Sequence, residues 1–122
     1  MRIGFVRVFV SDFKKSIEFY TRTLGMELDY TDGCYWAQFK SGDDVSLAIE
    51  SCEPARMEEG LKLVGRFVGV TLLVEDISKT YTQLCDKQVE FTGPPEKQSW
   101  GGTLAHFKDP SGNVLTIMES ES

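Results

Sequence analysis

The chain has 122 residues, a formal net charge of −6, and 41% hydrophobic and 26% charged residues, which suits one domain burying its own core. The acid excess leaves no basic stripe to neutralise phosphates and so excludes a nucleic-acid partner, while an acidic surface favours solubility and draws in cations. Cys34, Cys52 and Cys85 are widely spaced, with no CxxC pair or Cys/His cluster, so neither a disulfide framework nor a zinc knuckle is expected.

The opening MRIGFVRVFVSDF is too short and too interrupted by Arg2 and Arg7 for a signal peptide or membrane span. A reduced, cytoplasmic protein with no membrane partner is expected. IGFVRVFVSD alternates Val6, Val8 and Val10 against Phe5, Arg7 and Phe9, a strand using both faces. Ser11-Asp12 supplies helix-capping oxygens. In FKKSIEFYTRTLG, the spacing of Phe13, Ile17, Tyr20 and Leu24 predicts an amphipathic helix stopped by Gly25. Short strands are predicted at MELDYT, at CYWAQFK after Asp32-Gly33, and at VSLAIE after Gly42-Asp43-Asp44.

SCEPARMEEGLKLVG, residues 51–65, reads as a linker with room for a helical turn. From residue 66 the order restarts. RFVGVTLLVED is a strand with Val68, Val70, Leu72 and Val74 on one face; Asp76 caps a helix with Ile77, Tyr81 and Leu84 inward. Cys85 falls in this pattern and is expected to be a small core or semi-core residue. Short strands are expected near VEFTG, WGGTLAHFK and NVLTIME, the last after the tight turn Asp109-Pro110-Ser111-Gly112-Asn113.

Asp12 and Asp76 are 64 residues apart, and the same offset pairs Val10 with Val74 and Ile17 with Tyr81. A fixed offset implies two copies of one strand-helix-three-strand unit. The expected fold is α+β: tandem βαβββ units, 1–50 and 66–122, in one domain, forming a curved mixed sheet around a shared cleft.

VFVSDFKKSIEFYTRTLGMEL, LLVEDISKTYTQL and WGGTLAHFKDPSGN together resemble the vicinal oxygen chelate superfamily, which includes glyoxalase I, extradiol dioxygenases, fosfomycin resistance proteins and bleomycin resistance proteins. The resemblance is nearest to the bleomycin-resistance-like branch and covers nearly the whole chain. It implies the glyoxalase/bleomycin resistance-like fold. In metalloenzymes of this kind, four inward strand positions, normally His or Glu, hold one divalent ion. Here those positions map to Phe5, Ala48, Gly69 and Thr116. None is a competent ligand at neutral pH. No metal and no cofactor are therefore expected.

Strand parity places Phe5, Arg7, Phe9, Trp36, Gln38, Ser46, Ala48, Glu50, Phe67, Gly69, Thr71, Leu104, His106, Val114, Thr116 and Met118 on cleft-facing sides. Of these, Phe5, Arg7, Phe9, Trp36, Gln38, Glu50, Phe67, Leu104, His106, Thr116 and Met118, together with the loop residue Trp100, are the candidate ligand contacts. An aromatic-rich wall with few polar groups suits a small molecule. The resulting expectation is a metal-free protein that binds or sequesters a small apolar or aromatic molecule. The resemblance adds a homodimer and antibiotic resistance by analogy. Three rivals remain open: a metal-dependent lyase or dioxygenase with a displaced site at His106, Glu50 or Glu119; a metal-free enzyme with His106 as acid or base and Arg7 holding an anion; and a partner-binding module. His106, the single histidine, also reads as a hydrogen-bonded wall residue.

Overall fold

The computed structural model describes residues 1–40, 45–53 and 57–120. The expected turn at 42–44 and the Pro54 part of the expected linker lie outside them. The elements run β1 (Phe5–Val10), α1 (Phe13–Glu18), a π-helical turn (Phe19–Thr23), β2 (Leu28–Asp32), β3 (Trp36–Phe39), β4 (Ser46–Ser51) and α2 (Met57–Leu61). They continue with β5 (Phe67–Val74), α3 (Ile77–Asp86), β6 (Glu96–Lys97), β7 (Thr103–Lys108) and β8 (Val114–Glu119). The fold is α+β with two four-stranded mixed sheets, β1-β4-β3-β2 and β5-β8-β7-β6. The chain separates into two compact units, one of residues 1–66 with 110–113 and one of residues 67–109 with the chain from 114 onward.

In the first unit β1 runs parallel to β4, and β3 antiparallel to both β4 and β2. The register puts Val8, Ile49 and Ala37 in one cross-strand row, all buried at 1% exposure or less. Val10 and Phe39 lie on that same face, and Tyr20 stacks on Phe39 with ring centroids 5.7 Å apart, which closes the core under the helix. Asp12 caps α1 by accepting from Lys15 N at 3.1 Å. The predicted regular helix is interrupted. Leu24 N reaches Phe19 O at 2.9 Å, a π-type closure, while Thr21 Oγ1 donates to Ile17 O at 2.6 Å. That back-bond occupies a carbonyl on the helix ladder and accommodates the wider turn.

The turn at 110–113 packs within this first unit. Ser111 Oγ accepts from Ser11 N at 2.9 Å. Fully buried Asn113 donates Nδ2 to Phe9 O at 2.8 Å, and its Oδ1 accepts from Gly65 N at 2.8 Å and Arg66 N at 3.3 Å. Gly112 supplies the left-handed backbone, with φ at 82°.

The second unit repeats the plan. Leu72, Ile117 and Ala105 form one row, with Ile117 and Ala105 buried and Leu72 half-buried, and Phe107 and Leu115 are fully buried beside it. Asp76 caps α3 through Lys79 N, and Ile77 and Leu84 turn inward as expected. Tyr81 contacts Phe91 at 4.7 Å, and Phe91 contacts Phe107 at 5.7 Å. Cys85, expected in the core, is exposed; it lies one residue off the buried stripe, where a helix turns its side chains outward. The strand expected at VEFTG is reduced to a single bridge, Phe91 with Phe107. Gly93-Pro94-Pro95 follows at once, and prolines cannot donate to a ladder. Within the expected linker 51–65, Ser51 still belongs to β4 and α2 forms a helical turn at Met57–Leu61. Among the described residues, no helix is long and apolar enough to cross a membrane.

Candidate functional site

Each unit covers one face of its sheet with helix; the other faces carry the sequence-predicted residues. In the first unit, one cross-strand row holds Arg7, Ala48, Gln38 and Tyr30. The next holds Phe9, Glu50, Trp36 and Asp32. β4 lies between β1 and β3, whose axes are therefore about 10 Å apart. Even so, the Phe5 and Trp36 rings meet edge-on, with centroids 5.2 Å apart at 81°. They bridge above β4, where Ala48 is fully buried. Phe5 remains 48% exposed. Trp36 Nε1 is buried without a hydrogen-bond partner among the described residues, a costly state for a donor.

Arg7 and Glu50 do not stand as independent contacts. Arg7 Nη1 lies 3.0 Å from Glu50 Oε1, and the guanidinium sits 5.5 Å from the centre of the Phe9 ring. The charge proposed from sequence to hold an anion is thus matched within its own sheet face. Both side chains are partly exposed, so the pair contributes little stability.

In the second unit, Thr71, Thr116 and His106 form one row, with Leu73, Met118 and Leu104 in the next. Thr116 Oγ1 and His106 Nδ1 lie 2.7 Å apart, one donating according to the imidazole tautomer. Thr116 is only 3% exposed, so it forms floor rather than contact surface. Phe67 packs against the His106 ring at 5.4 Å. A cavity of about 280 Å³ adjoins His106 and Leu104 and includes Glu96 and Gln98 in its wall.

Trp100 lies in the loop joining β6 to β7. Gln98 N donates to Gly102 O at 2.7 Å and Gly101 N to Gln98 O at 3.0 Å, closing the loop. Trp100 is 63% exposed. A Cβ at Gly102 would overlap its ring carbons Cζ3 and Cη2, so the indole rests directly on the main chain there. A second cavity, of about 480 Å³, is lined by Trp100, Met118 and Glu119 among others. The Trp-Gly-Gly spacing signals a loop; that the second glycine seats the indole could not be read from it.

The residues present do not fit the divalent ion that the sequence resemblance implies. Of the four positions, Phe5 is in a ring pair and Ala48 is buried beneath the same face. Gly69, at a bulge of β5 with φ of 71°, has no side chain, and Thr116 is bonded to His106. The displaced ligand set fares no better: Glu50 is bound to Arg7, and Glu119 Oε1 accepts from Ile77 N at 3.1 Å, capping α3 on the helix side. Among the described residues, no three His, Cys, Asp or Glu side chains cluster to hold an ion.

Residues 2–117 match the model of the glyoxalase/bleomycin resistance protein/dioxygenase superfamily. The uncharacterized protein YraH of Bacillus subtilis (strain 168) is 34% identical, over 96% of this chain and 97% of its own. A superfamily member from Sphaerobacter thermophilus DSM 20745 has a crystal structure that superposes with a TM-score of 0.84 at 28% identity, covering 98% of both chains. The crystal structure of TnmS3, an antibiotic binding protein from Streptomyces sp. CB03234, gives a TM-score of 0.77 at 29% identity, covering 99% of this chain and 97% of that one.

Proposed function

Since the chain belongs to the glyoxalase/bleomycin resistance protein/dioxygenase superfamily, we propose that it works without a metal, as a reversible binder of a small apolar or aromatic molecule. The observation that carries this reading is the replacement of ligands by rings and small residues at Phe5, Ala48, Gly69 and Thr116. A ligand-poor wall has no Lewis acid to offer, and its exposed aromatic rings offer stacking surface instead. Phe5, Phe9 and Trp36 form that surface on the first unit, with Phe67, Leu104, Met118 and Trp100 on the second. Gln38 supplies polar selectivity, and His106 is a wall residue fixed by Thr116. The antibiotic-binding relative supports sequestration over turnover. In this reading the protein is a cytoplasmic homodimer, and exposed Phe67 and Leu73, each 64% accessible, supply apolar surface for assembly.

The test has two arms. Purified protein is equilibrated with Mn, Fe, Co, Ni and Zn, freed of excess, and analysed for bound metal. Less than about a tenth of an ion per chain is expected, since a resident ion needs competent ligands. A stoichiometric ion that is lost on His106→Ala sinks the proposal. The second arm is a thermal-shift screen of planar aromatic compounds. A ligand at about 100 times its Kd adds about 2.7 kcal/mol, which is about 10 °C for a chain of this length.

A further inference from the structure

We propose that the Asp32-Gly33 step, at the tip of the β2–β3 hairpin, is a site of spontaneous main-chain rearrangement, where aspartate converts to isoaspartate and loosens β2. It is the one place in the chain where aspartate or asparagine precedes glycine. The reaction needs a carboxyl group that nothing holds and a following main-chain nitrogen that nothing crowds. Asp32 is exposed, and its carboxylate enters no ion pair among the described residues. Gly33 N donates to no main-chain carbonyl among the described residues. Its φ of 56° is a left-handed value that glycine adopts without strain. The atoms nearest to the place of its missing Cβ belong to the Tyr35 ring, at 3.6 and 3.9 Å, so no main chain closes in on it. Other aspartates lack this combination. Asp12 and Asp76 are committed to helix caps and are followed by Phe13 and Ile77. Asp109 is buried and precedes Pro110, which has no N–H. Asp29 is exposed, but Tyr30 follows it.

In the reaction Gly33 N attacks Cγ of Asp32. The N–Cγ bond forms, the nitrogen gives up its proton, and one carboxyl oxygen leaves as water. A five-membered cyclic imide then joins the two residues, and solvent water opens it at one of its two carbonyls. Cleavage of the new N–Cγ bond restores aspartate. Cleavage of the old peptide bond leaves the main chain running through Cγ, with the carboxylate on Cα. One water leaves and one returns, so no atom is gained or lost overall and nothing is oxidised.

Isoaspartate adds one carbon to the main chain inside a turn closed by Tyr35 N donating to Asp32 O at 3.3 Å. The register cannot then hold on both sides of the turn. β3 is also fixed by β4, with Trp36 opposite Glu50 and Ala37 opposite Ile49. β2 lies at the edge of its sheet. The added length is therefore taken up in β2, by unpairing Asp32 from Trp36 and Thr31 from Ala37.

Intact protein is held for several weeks at body temperature in mildly acidic buffer, then digested with trypsin and read by liquid chromatography with electron-transfer fragmentation. The peptide 23–40 contains both Asp29 and Asp32. It is expected to split into two forms of equal mass, the second bearing isoaspartate at 32, with an imide form lighter by one water. Conversion at Asp32 is expected to be about tenfold faster than at Asp29, because the residue after Asp29 carries a Cβ. Asp32→Glu keeps the charge but would require a six-membered ring, and the second form should be lost. In the isoaspartate protein, separated by ion exchange, amide hydrogen exchange across Leu28–Asp32 should quicken while β4 stays unchanged. No second form in the intact protein, under conditions that convert the isolated peptide, overturns the proposal, because the folded turn then protects the step. Conversion at Asp29 equal to that at Asp32 overturns it too. So does unaltered exchange in β2, since the rearrangement then loosens nothing.

Discussion

Replacing Asn113 by alanine is expected to destabilise the protein severely, although the residue touches none of the proposed ligand surface. Its side chain is fully buried and joins three main-chain groups: Phe9 O at 2.8 Å, Gly65 N at 2.8 Å and Arg66 N at 3.3 Å. The two short bonds contribute about 1 kcal/mol each, and the long one less. Removing the amide also leaves the buried part of the Phe9 carbonyl without this donor and opens a small void, which together cost about 1 kcal/mol. The total is about 3 kcal/mol. With an unfolding entropy of about 0.25 kcal/mol/K for a chain this long, the melting temperature falls by about 12 °C. Differential scanning calorimetry reads this directly. A drop below about 4 °C, with native spectra, would refute the assignment of Asn113 as the tie that anchors the turn. Asn113→Asp sharpens the test. It keeps the Oδ1 acceptor but sets a carboxylate oxygen against the Phe9 carbonyl. The aspartate variant should therefore lose the bond to Phe9 O while keeping those from Gly65 N and Arg66 N, and melt well below the unaltered protein.

The Phe5–Trp36 pair is expected to show a coupling of about 0.5–1.5 kcal/mol in a double-mutant cycle through Phe5→Ala and Trp36→Ala. Zero coupling in urea unfolding would mean the rings do not hold each other above β4. Thr116→Val keeps the shape but removes the partner of His106, and should cost about 1 kcal/mol in the same assay without changing metal content. If the variant instead takes up a stoichiometric ion, the wall role assigned to His106 is wrong. Asp76→Ala should cost about 1 kcal/mol by uncapping α3. The loss should be smaller than for a helix with no other cap, because Glu119 still accepts from Ile77 N.

The architecture was legible wherever it depended on local periodicity. Val8 and Val10 alternate with Arg7 and Phe9 because a strand turns successive side chains to opposite faces, and the buried and open faces followed from that parity. Asp12 and Asp76 announced α1 and α3, since each carboxylate accepts from the main-chain N–H three residues on. The failures came where one local signal met another. VEFTG alternates as a strand should, but the prolines after it stop the ladder. The helix from Phe13 has the right spacing, but Thr21 takes a carbonyl and widens the turn.

The chemistry of individual side chains was a different matter. Arg7 and Glu50 are 43 residues apart, and only the parallel register of β1 on β4 brings them to 3.0 Å. His106 read more as a wall residue than as a catalyst, but its partner was not legible until the pairing of β7 with β8 set Thr116 opposite it. Glu119 already stood on the wrong strand parity relative to Thr116 in the sequence; that its carboxylate caps α3 depends on where that helix packs. Alternation and capping are properties of a few consecutive residues, so the chain carries them wherever it goes. Partnership between side chains is a property of strand order and register, which exist only once distant segments have paired. That is why 122 residues of sequence sufficed for the fold, while the partner of each polar group on the open faces waited for the sheets.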